Sequence, residues 1–208
     1  MPQQTLTRDE QVTWTLLASK GIANALSGLS RMIDRELKVT AFDIRKFQAK
    51  DIPVLLGGPE NLVVGIYLTV SGDANGHLML IHEPKVAFEL VDMQMGLLRG
   101  STQHLEDIER SVIEEMGNIT GSYFLNALAD ATNLTLAISP PVVMLDMVGA
   151  ILGIALSEIM QRQDDIIAVN TTFGSSNQQV SGTFLVMPTM EFMKTLVKSV
   201  ENDNGNVN

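Results

Sequence analysis

Residues 109–122, with the sequence Glu-Arg-Ser-Val-Ile-Glu-Glu-Met-Gly-Asn-Ile-Thr-Gly-Ser, carry the most informative pattern of the chain. One face of a helix with 3.6 residues per turn holds positions i, i+4, i+7 and i+11, which here are Ser111, Glu115, Asn118 and Ser122. The opposite face is predicted to bury apolar residues, namely Ile108, Val112, Met116, Ile119 and Tyr123. The segment is therefore predicted to be a helix that presents a carboxylate and a carboxamide one turn apart.

Two glycines, Gly117 and Gly121, lie beside this polar stripe. Glycine in a helix costs about 1 kcal/mol relative to alanine, so helix propensity does not explain them. A close approach of another backbone would explain them. We therefore expect either backbone or a binding partner to come close to the helix at both glycines.

The composition is that of a folded protein with a sizeable core, with 208 residues, 45% hydrophobic and 18% charged. The net charge of −10 argues against binding to nucleic acid, because a phosphate backbone would repel this surface. The absence of cysteine excludes disulfides, thiolate nucleophiles and cysteine zinc sites. The N-terminus has no signal-peptide pattern, and the longest apolar stretch, residues 142–156, is too short and too interrupted to span a membrane. A cytoplasmic protein without a membrane anchor is expected.

The order of predicted elements occurs twice along the chain, in a first repeat at about residues 8–100 and a second at about 102–200. Each repeat has a long helix, an extended region, two strands and an amphipathic helix preceded by Pro84 or Pro188. The long helices are predicted at 8–37 and 102–133, the strands at 62–70, 76–81, 166–173 and 182–187, and an additional helix at 148–162. Residues 71–76 are rich in turn formers and predict a hairpin.

Hairpins of this kind form antiparallel sheets, and helices on one side would cover them. The predicted fold is a single α/β domain, pseudo-symmetric, with antiparallel strands and the two long helices packed on the sheet. The three histidines, His77, His82 and His104, are scattered and predict no metal site. The chain contains neither a glycine-rich phosphate loop nor a Gly-x-Ser-x-Gly elbow.

Two interpretations of the polar stripe remain open from the residues alone. It is either the solvated face of an amphipathic helix, which is the commoner case, or a functional surface. The second interpretation is favoured by the small polar residues of the stripe, which lacks the lysines and arginines of most solvated faces, and by Pro140 and Pro141 beyond the helix.

The pattern Ser111-x-x-x-Glu115-x-x-Asn118, followed after twenty-two residues by Pro141, resembles the signature of the CheC/CheX/FliY phosphatases of chemotaxis. The run Glu-Met-Gly-Asn-Ile-Thr-Gly at 115–121 is similar to the core of that signature, and the order of elements resembles CheC over nearly all of residues 8–200. The resemblance implies a CheC-like fold of two repeats and hydrolysis of the aspartyl phosphate on the response regulator CheY.

The resemblance also implies roles for individual residues. Asn118 would orient the attacking water and Glu115 would pair with a lysine of CheY, so these two residues are the expected catalytic pair. The neighbouring residues Ser111, Gly117, Gly121 and Ser122 would contact the partner, and Pro141 would be a structural residue of the motif. The chain itself would bind no cofactor or metal, while CheY would carry Mg²⁺.

The first repeat has Leu16 in the place of Glu115 and Ser19 in the place of Asn118. It therefore resembles a copy of the site without its chemistry, and one active surface per chain is expected. Phosphorylated CheY is the expected partner, with the deamidase CheD as a further candidate, and the protein would be a monomer or a heterodimer. A non-enzymatic adaptor and a flagellar-switch module, as in the similar middle part of FliM, remain as alternatives.

Overall fold

The protein is described from a computed structural model over residues 6–153, 165–175 and 181–205. Its centre is a seven-stranded sheet in which all paired strands are antiparallel. The strands are β1 (Leu37–Gln48), β2 (Leu62–Gly72), β3 (Gly76–His82), β4 (Leu136–Ile138), β5 (Val142–Met147), β6 (Asp165–Ser175) and β7 (Ser181–Pro188). Their order is β1-β6-β7-β3-β2-β4, and β5 also pairs with β2, along residues 62–67, whereas β4 pairs with residues 70–72 of β2. The mixed α/β, antiparallel fold predicted from the sequence is confirmed.

The two long helices lie at the start of the two halves of the chain. The helices are α1 (Arg8–Met32), α2 (Ile52–Leu55), α3 (Pro84–Met95), α4 (Asp107–Thr132), α5 with described residues 148–153, and α6 (Met190–Gly205). A capping box begins α1, in which the Thr7 backbone N–H donates to Glu10 Oε2 at 2.6 Å. None of the helices in the described ranges is long and apolar enough to span a lipid bilayer.

Helices α1 and α4 pack closely because α1 offers glycines to the aromatic rings of α4. A Cβ atom on Gly21 would lie 2.7 Å from the ring of Phe124, and one on Gly28 would lie 2.7 Å from the ring of Tyr123. The side chain of Asn24 donates a hydrogen bond to the Tyr123 carbonyl at 2.5 Å. This helix pair therefore sets the orientation in which α4 lies on the sheet.

Helices cover the sheet on both faces, which corrects the expectation of helices on one side only. The larger core lies between the sheet and α1, α3, α4 and α6. A second core lies on the opposite face, where Ile52 of α2 and Ile151 of α5 pack with sheet residues such as Met79 and Leu185. The alternation along β2 follows from this, since Val64 and Ile66 face the larger core while Val63 and Tyr67 face the smaller one.

The predicted strands lie within β2, β3, β6 and β7, and the predicted extended region of the first half is β1. Both long helices are shorter than expected: α1 ends at Met32, and α4 begins at Asp107. The helix predicted at 148–162 begins as expected, but residues 154–164 lie outside the described part. Within the apolar stretch that begins at residue 142, most of β5 is exposed.

The histidines of β3 are buried on opposite faces of the sheet, as their spacing predicts. The Tyr67 hydroxyl and His77 Nδ1 form a hydrogen bond of 2.8 Å. His82 packs edge-on against Phe173, and its Nδ1 donates to the Ser181 carbonyl at 2.9 Å. Within the described ranges, no group of three or more His, Asp or Glu residues is placed to hold a metal ion.

The division into two repeats stays a prediction, and the described elements support it. The difference in residue number between Leu16 and Glu115 also relates other elements of the two halves. Added to the residue numbers of α1, this difference gives those of α4 to within one residue, and added to those of β1 it gives 136–147, the combined span of β4 and β5. The region of α2 corresponds in the same way to the region of α5. Ser139, between β4 and β5, corresponds to Thr40, where the pairing of β1 with β6 is irregular.

Candidate functional site

Helix α4 holds the predicted polar stripe on its accessible face. Ser111, Glu115 and Asn118 are exposed and Ser122 is half-buried. The first turn of the helix is stabilised by the Glu109 carboxylate, which accepts from the backbone N–H of Glu106 at 3.1 Å. The carboxylate and the carboxamide therefore both face outward, three residues and about 4.5 Å apart along the helix axis.

The buried face of α4 differs from the predicted one. Ile108 is 63% exposed, and of the five predicted residues Met116 alone is fully buried. Most of the residues that contact the core lie one position later in the sequence than the predicted ones. They include Ile113, Gly117, Thr120, Gly121 and Phe124. The prediction was wrong here because it placed the glycines on the functional side and excluded them from the packing face.

Gly117 and Gly121 lie on the buried face of α4, so they do not admit a partner, and this part of the prediction is wrong. A Cβ atom on Gly117 would lie 2.3 Å from Cγ2 of Ile66, and one on Gly121 would lie 3.2 Å from Cδ2 of Leu68. The glycines therefore let the helix backbone approach β2 of its own sheet. The close approach that their presence predicts is intramolecular.

The connection between β4 and β5 forms the wall opposite the stripe. The Ser139 N–H donates to the Thr69 carbonyl at 2.9 Å, and the Thr69 N–H donates to Ser139 Oγ at 3.0 Å. Pro141 lies against the helix, with its Cβ 3.3 Å from the position of a Cβ on Gly117. Pro141 thus occupies a packing position between the strand connection and α4, as a structural residue of the motif would.

An open depression of about 440 Å³ lies between α4 and this wall. Its lining residues are Ser111, Glu114, Glu115, Asn118, Ile138, Ser139, Pro140 and Pro141. The structure thus brings the predicted catalytic pair together with Ser111 and Pro141, whereas Ser122 does not line the depression.

Glu114 also lines the depression, although it lies outside the polar stripe predicted from the sequence. It precedes Asn118 by four residues, and residues at i and i+4 are neighbours on a helix, so the spacing was sufficient to find it. Ser139 and Pro140 could have been found from their position directly before Pro141. The depression therefore holds two carboxylates, one on each side of the line from Ser111 to Asn118.

The functional groups of the depression are free to meet a ligand. Among the described residues, no hydrogen bond or ion pair occupies the side chains of Glu114, Glu115 or Asn118. The Ser111 hydroxyl instead donates to the Asp107 carbonyl at 2.9 Å, which ties it to its own helix. The chemistry of the site thus rests on two unpaired carboxylates and one unpaired amide.

The corresponding stripe on α1 has no such groups. Leu16, in the place of Glu115, is 66% exposed, and Ser19, in the place of Asn118, is exposed as well. Val12 is exposed in the place of Ser111. The equivalent surface of the first half is therefore accessible but carries neither a carboxylate nor a carboxamide.

Comparison with known proteins agrees with the resemblance inferred from the motif. Residues 108–145, which contain all of α4 but its first residue, the opposite wall and most of β5, match the CheC-like family. The CheY-P phosphatase CheC of Bacillus subtilis (strain 168) is 28% identical over 165 residues, which cover 76% of this chain and 78% of that protein. The resemblance to CheC-like chemotaxis proteins is confirmed.

Solved structures share the fold. The Thermotoga maritima FliY structure superposes with a TM-score of 0.71 at 17% identity and covers 96% of this chain and 99% of its own. A chain of the CheX-CheY-BeF3-Mg²⁺ complex from Borrelia burgdorferi has a TM-score of 0.58 at 13% identity, covering 82% of this chain and 97% of its own. The architecture is therefore the CheC-like fold, in agreement with the prediction.

Proposed function

We propose that this protein is a phosphatase that hydrolyses the aspartyl phosphate of the chemotaxis response regulator CheY. The observation that carries the proposal is the outward-facing pair of Glu115 and Asn118 at the edge of an open depression. The 28% identity to a CheY-P phosphatase and the structural likeness to a chain of a CheX-CheY complex support the same reaction.

Asn118 is proposed to orient the attacking water. Its amide oxygen accepts a hydrogen bond from the water while its NH₂ group donates to a phosphoryl oxygen, and neither role requires a change of protonation. The water oxygen forms a bond to phosphorus as the bond between phosphorus and the aspartate oxygen breaks. Inorganic phosphate leaves, the aspartate keeps the electron pair, and the released proton passes to phosphate or solvent.

Glu115 is proposed to fix the position of the partner by pairing with a lysine near the phosphorylated aspartate. Such a pair becomes desolvated when the two proteins meet, and its main contribution is orientation. Glu115 and Asn118 are close enough along α4 to enter one small cleft together. The Ser111 hydroxyl, held to its own helix, would stand at the rim of that cleft.

The charges of the depression require that the partner supply cations. Glu114 and Glu115 would both repel a phosphoryl group, and the chain as a whole carries a net charge of −10. A lysine and a Mg²⁺ ion on CheY would balance these charges at the moment of contact, and Mg²⁺ would stabilise charge on the phosphoryl oxygens. We therefore propose that this chain contributes no metal and that the partner contributes its own.

The test is the decay of phosphorylated CheY in the presence of catalytic amounts of the purified protein. The wild-type protein should speed the loss of phosphate, and Asn118→Ala should slow it by about 100-fold, since removal of a single positioned polar group in an active site has effects of this order. Asn126→Ala is the matched control, because Asn126 is an exposed amide on the same helix outside the depression. This control should keep wild-type activity.

Equal decay of phosphorylated CheY with and without the protein would refute the phosphatase and leave the adaptor as the function. An equal loss of activity in Asn118→Ala and Asn126→Ala would refute the role proposed for Asn118 but not the phosphatase activity itself. CheD as a second partner, the cytoplasmic location, and a monomeric or heterodimeric state stay predictions.

A further inference from the structure

An exposed apolar surface adjoins the N-terminal end of α4. We call this surface the apolar patch and define it by Leu62, Ile108, Leu145 and Met147. Leu62 and Met147 are each 51% exposed and Leu145 is 37% exposed. Exposed apolar residues that occur singly are ordinary, whereas a contiguous group marks an interaction surface.

Three of these residues are neighbours in the sheet. Leu62 pairs with Met147, and Leu145 pairs with Val64, so all three lie on the face of the sheet that carries the larger core. Nearer the start of β5, α4 covers the sheet, since Arg110 Nη1 donates to the Val143 carbonyl at 3.2 Å. The helix begins at Asp107, and Leu62 at the start of β2 and Met147 at the end of β5 remain exposed.

The patch continues into the candidate site through Ile108. Ile108 lies one turn before Ser111 on the outward face of α4, about 4.5 Å along the helix axis. Leu145 lies four residues after Pro141, the last residue of the opposite wall. The depression and the apolar patch therefore share helix α4, and β5 begins directly after the wall of the depression.

The two halves of the chain differ in the residues that form the apolar patch. The residues of the first half that correspond to Ile108, Leu145 and Met147 are Asp9, Lys46 and Gln48. The apolar patch thus accompanies the half with Glu115 and Asn118, while the half without them has polar residues. A purely structural role of these positions would give no reason for this difference.

We propose that the apolar patch docks the protein that carries the phosphorylated aspartate, through exposed apolar side chains of that protein. The inference rests on the proposed function and extends it from the reacting groups to the docking surface. A specific protein–protein contact buries about 800 Å² on each partner, more than a shallow depression offers, so the contact must extend onto the adjacent surface. The patch bears no charge, which also lets an acidic protein meet its partner without added repulsion.

The test compares the kinetics of a double variant, Leu145→Ser with Met147→Ser, with those of the wild type. Initial rates over a range of phosphorylated CheY concentrations should give a KM raised about tenfold with kcat within twofold, because loss of a few central apolar contacts weakens an interface by roughly this factor. The binding of CheY treated with BeF3 and Mg²⁺ should weaken by the same factor in calorimetric titration. The exposed positions of both residues allow the substitution without loss of the fold.

The matched control is Val12→Ser with Leu16→Ser, which removes two exposed apolar residues from the equivalent stripe of α1. This variant should keep the wild-type KM. A wild-type KM in the Leu145/Met147 variant, or an equal rise in both double variants, would overturn the docking proposal while leaving the phosphatase intact.

Two further outcomes separate the docking surface from the reaction. If the wild type does not speed dephosphorylation but binds the BeF3 form of CheY, and the Leu145/Met147 variant does not, the docking surface stands and the phosphatase fails. If the wild type runs as a larger species than this variant in size-exclusion chromatography, the patch joins two copies of this chain and the proposal is wrong.

Discussion

Gly117 connects the packing of α4 with the shape of the candidate site. Its missing side chain lets Ile66 of β2 and Pro141 of the opposite wall both approach the helix backbone. The same approach sets the distance between Asn118, the next residue on the helix, and the wall of the depression. A packing residue thus determines how wide the site is.

Gly117→Ala should destabilise the protein by about 2 kcal/mol despite the better helix propensity of alanine. The added methyl group would meet Cγ2 of Ile66 at 2.3 Å, a severe overlap for which we expect an overpacking cost of about 3 kcal/mol, and the gain of about 1 kcal/mol from replacing glycine offsets part of this cost. Urea denaturation measures the difference in the free energy of unfolding.

Gly121→Ala is the control for this prediction. Its added Cβ would meet the terminal methyl groups of Leu68 and Ile138 at 3.2 and 3.3 Å, and these flexible ends can give way by a few tenths of an ångström. Its stability should lie within about 1 kcal/mol of the wild type. Equal destabilisation of both variants would show that the tight contact with Ile66 is not the cause.

The sequence contained more information about the site than about the packing that holds it. The spacing of Ser111, Glu115 and Asn118 predicted an accessible stripe correctly, because helix periodicity is a local property. The position of Glu114 was equally readable from its i+4 relation to Asn118 and was overlooked. The role of Gly117 was not readable, since the residue that fills its space, Ile66, is distant in the chain and brought near by the fold.

At the scale of elements, the connection before α4 is fixed by one buried carboxylate of α3. Asp92 accepts hydrogen bonds from the backbone N–H groups of Gly100, Ser101 and Thr102 at 2.6, 3.1 and 2.8 Å. Burial by itself would raise the pKa of Asp92, but the hydrogen bonds from Thr102, Gly100 and Ser101 outweigh it and hold the pKa below its usual value. This carboxylate therefore helps to determine where the site helix begins.

The two long helices carry equivalent stripes with different side chains. Substitutions in each stripe therefore test directly whether only the stripe of α4 is active. Replacing Leu16 and Ser19 of α1 together by alanine should leave the dephosphorylation rate within about twofold of the wild type, since this stripe has no carboxylate or amide. The parallel variant with Glu115 and Asn118 replaced by alanine should lose most of the activity. The rate of phosphate release from phosphorylated CheY measures both.

A large loss on replacing Leu16 and Ser19 would contradict the view that each chain has one active surface. Both residues are exposed, so a change in folding is not expected to obscure the result. Circular dichroism of the two variants serves as the check that both remain folded.

At the scale of the whole molecule, the sequence predicted the strands better than their arrangement. Alternation and turn residues are local signals, and they located β2, β3, β6 and β7. The pairing of β1 with β6 joins distant parts of the chain and leaves no local signal. The second core was missed for the same reason, because the short helix α2 and the start of α5 reveal their burial only when the sheet has formed.

The centre of the sheet contains a buried histidine that couples folding to pH. His82 donates from Nδ1 to the Ser181 carbonyl, which leaves Nε2 buried and, among the described residues, without a hydrogen-bond partner. Burial lowers the pKa of the imidazole from 6.5 to about 4, although the hydrogen bond to Ser181 opposes part of this effect. The folded protein therefore holds His82 neutral at pH values where an unfolded chain would protonate it.

Lowering the pH should therefore weaken the fold between about pH 6.5 and pH 4. In this range the unfolded chain binds one proton more than the folded chain at His82, so the free energy of unfolding falls as the pH falls, by about 2 kcal/mol from pH 7 to pH 5. Urea denaturation at pH 7 and pH 5 should show this loss in the wild type and in His104→Gln, an exposed control. His82→Gln should be less stable at pH 7 but should lose about 2 kcal/mol less on acidification, and an unchanged loss would mean that other groups cause the pH dependence.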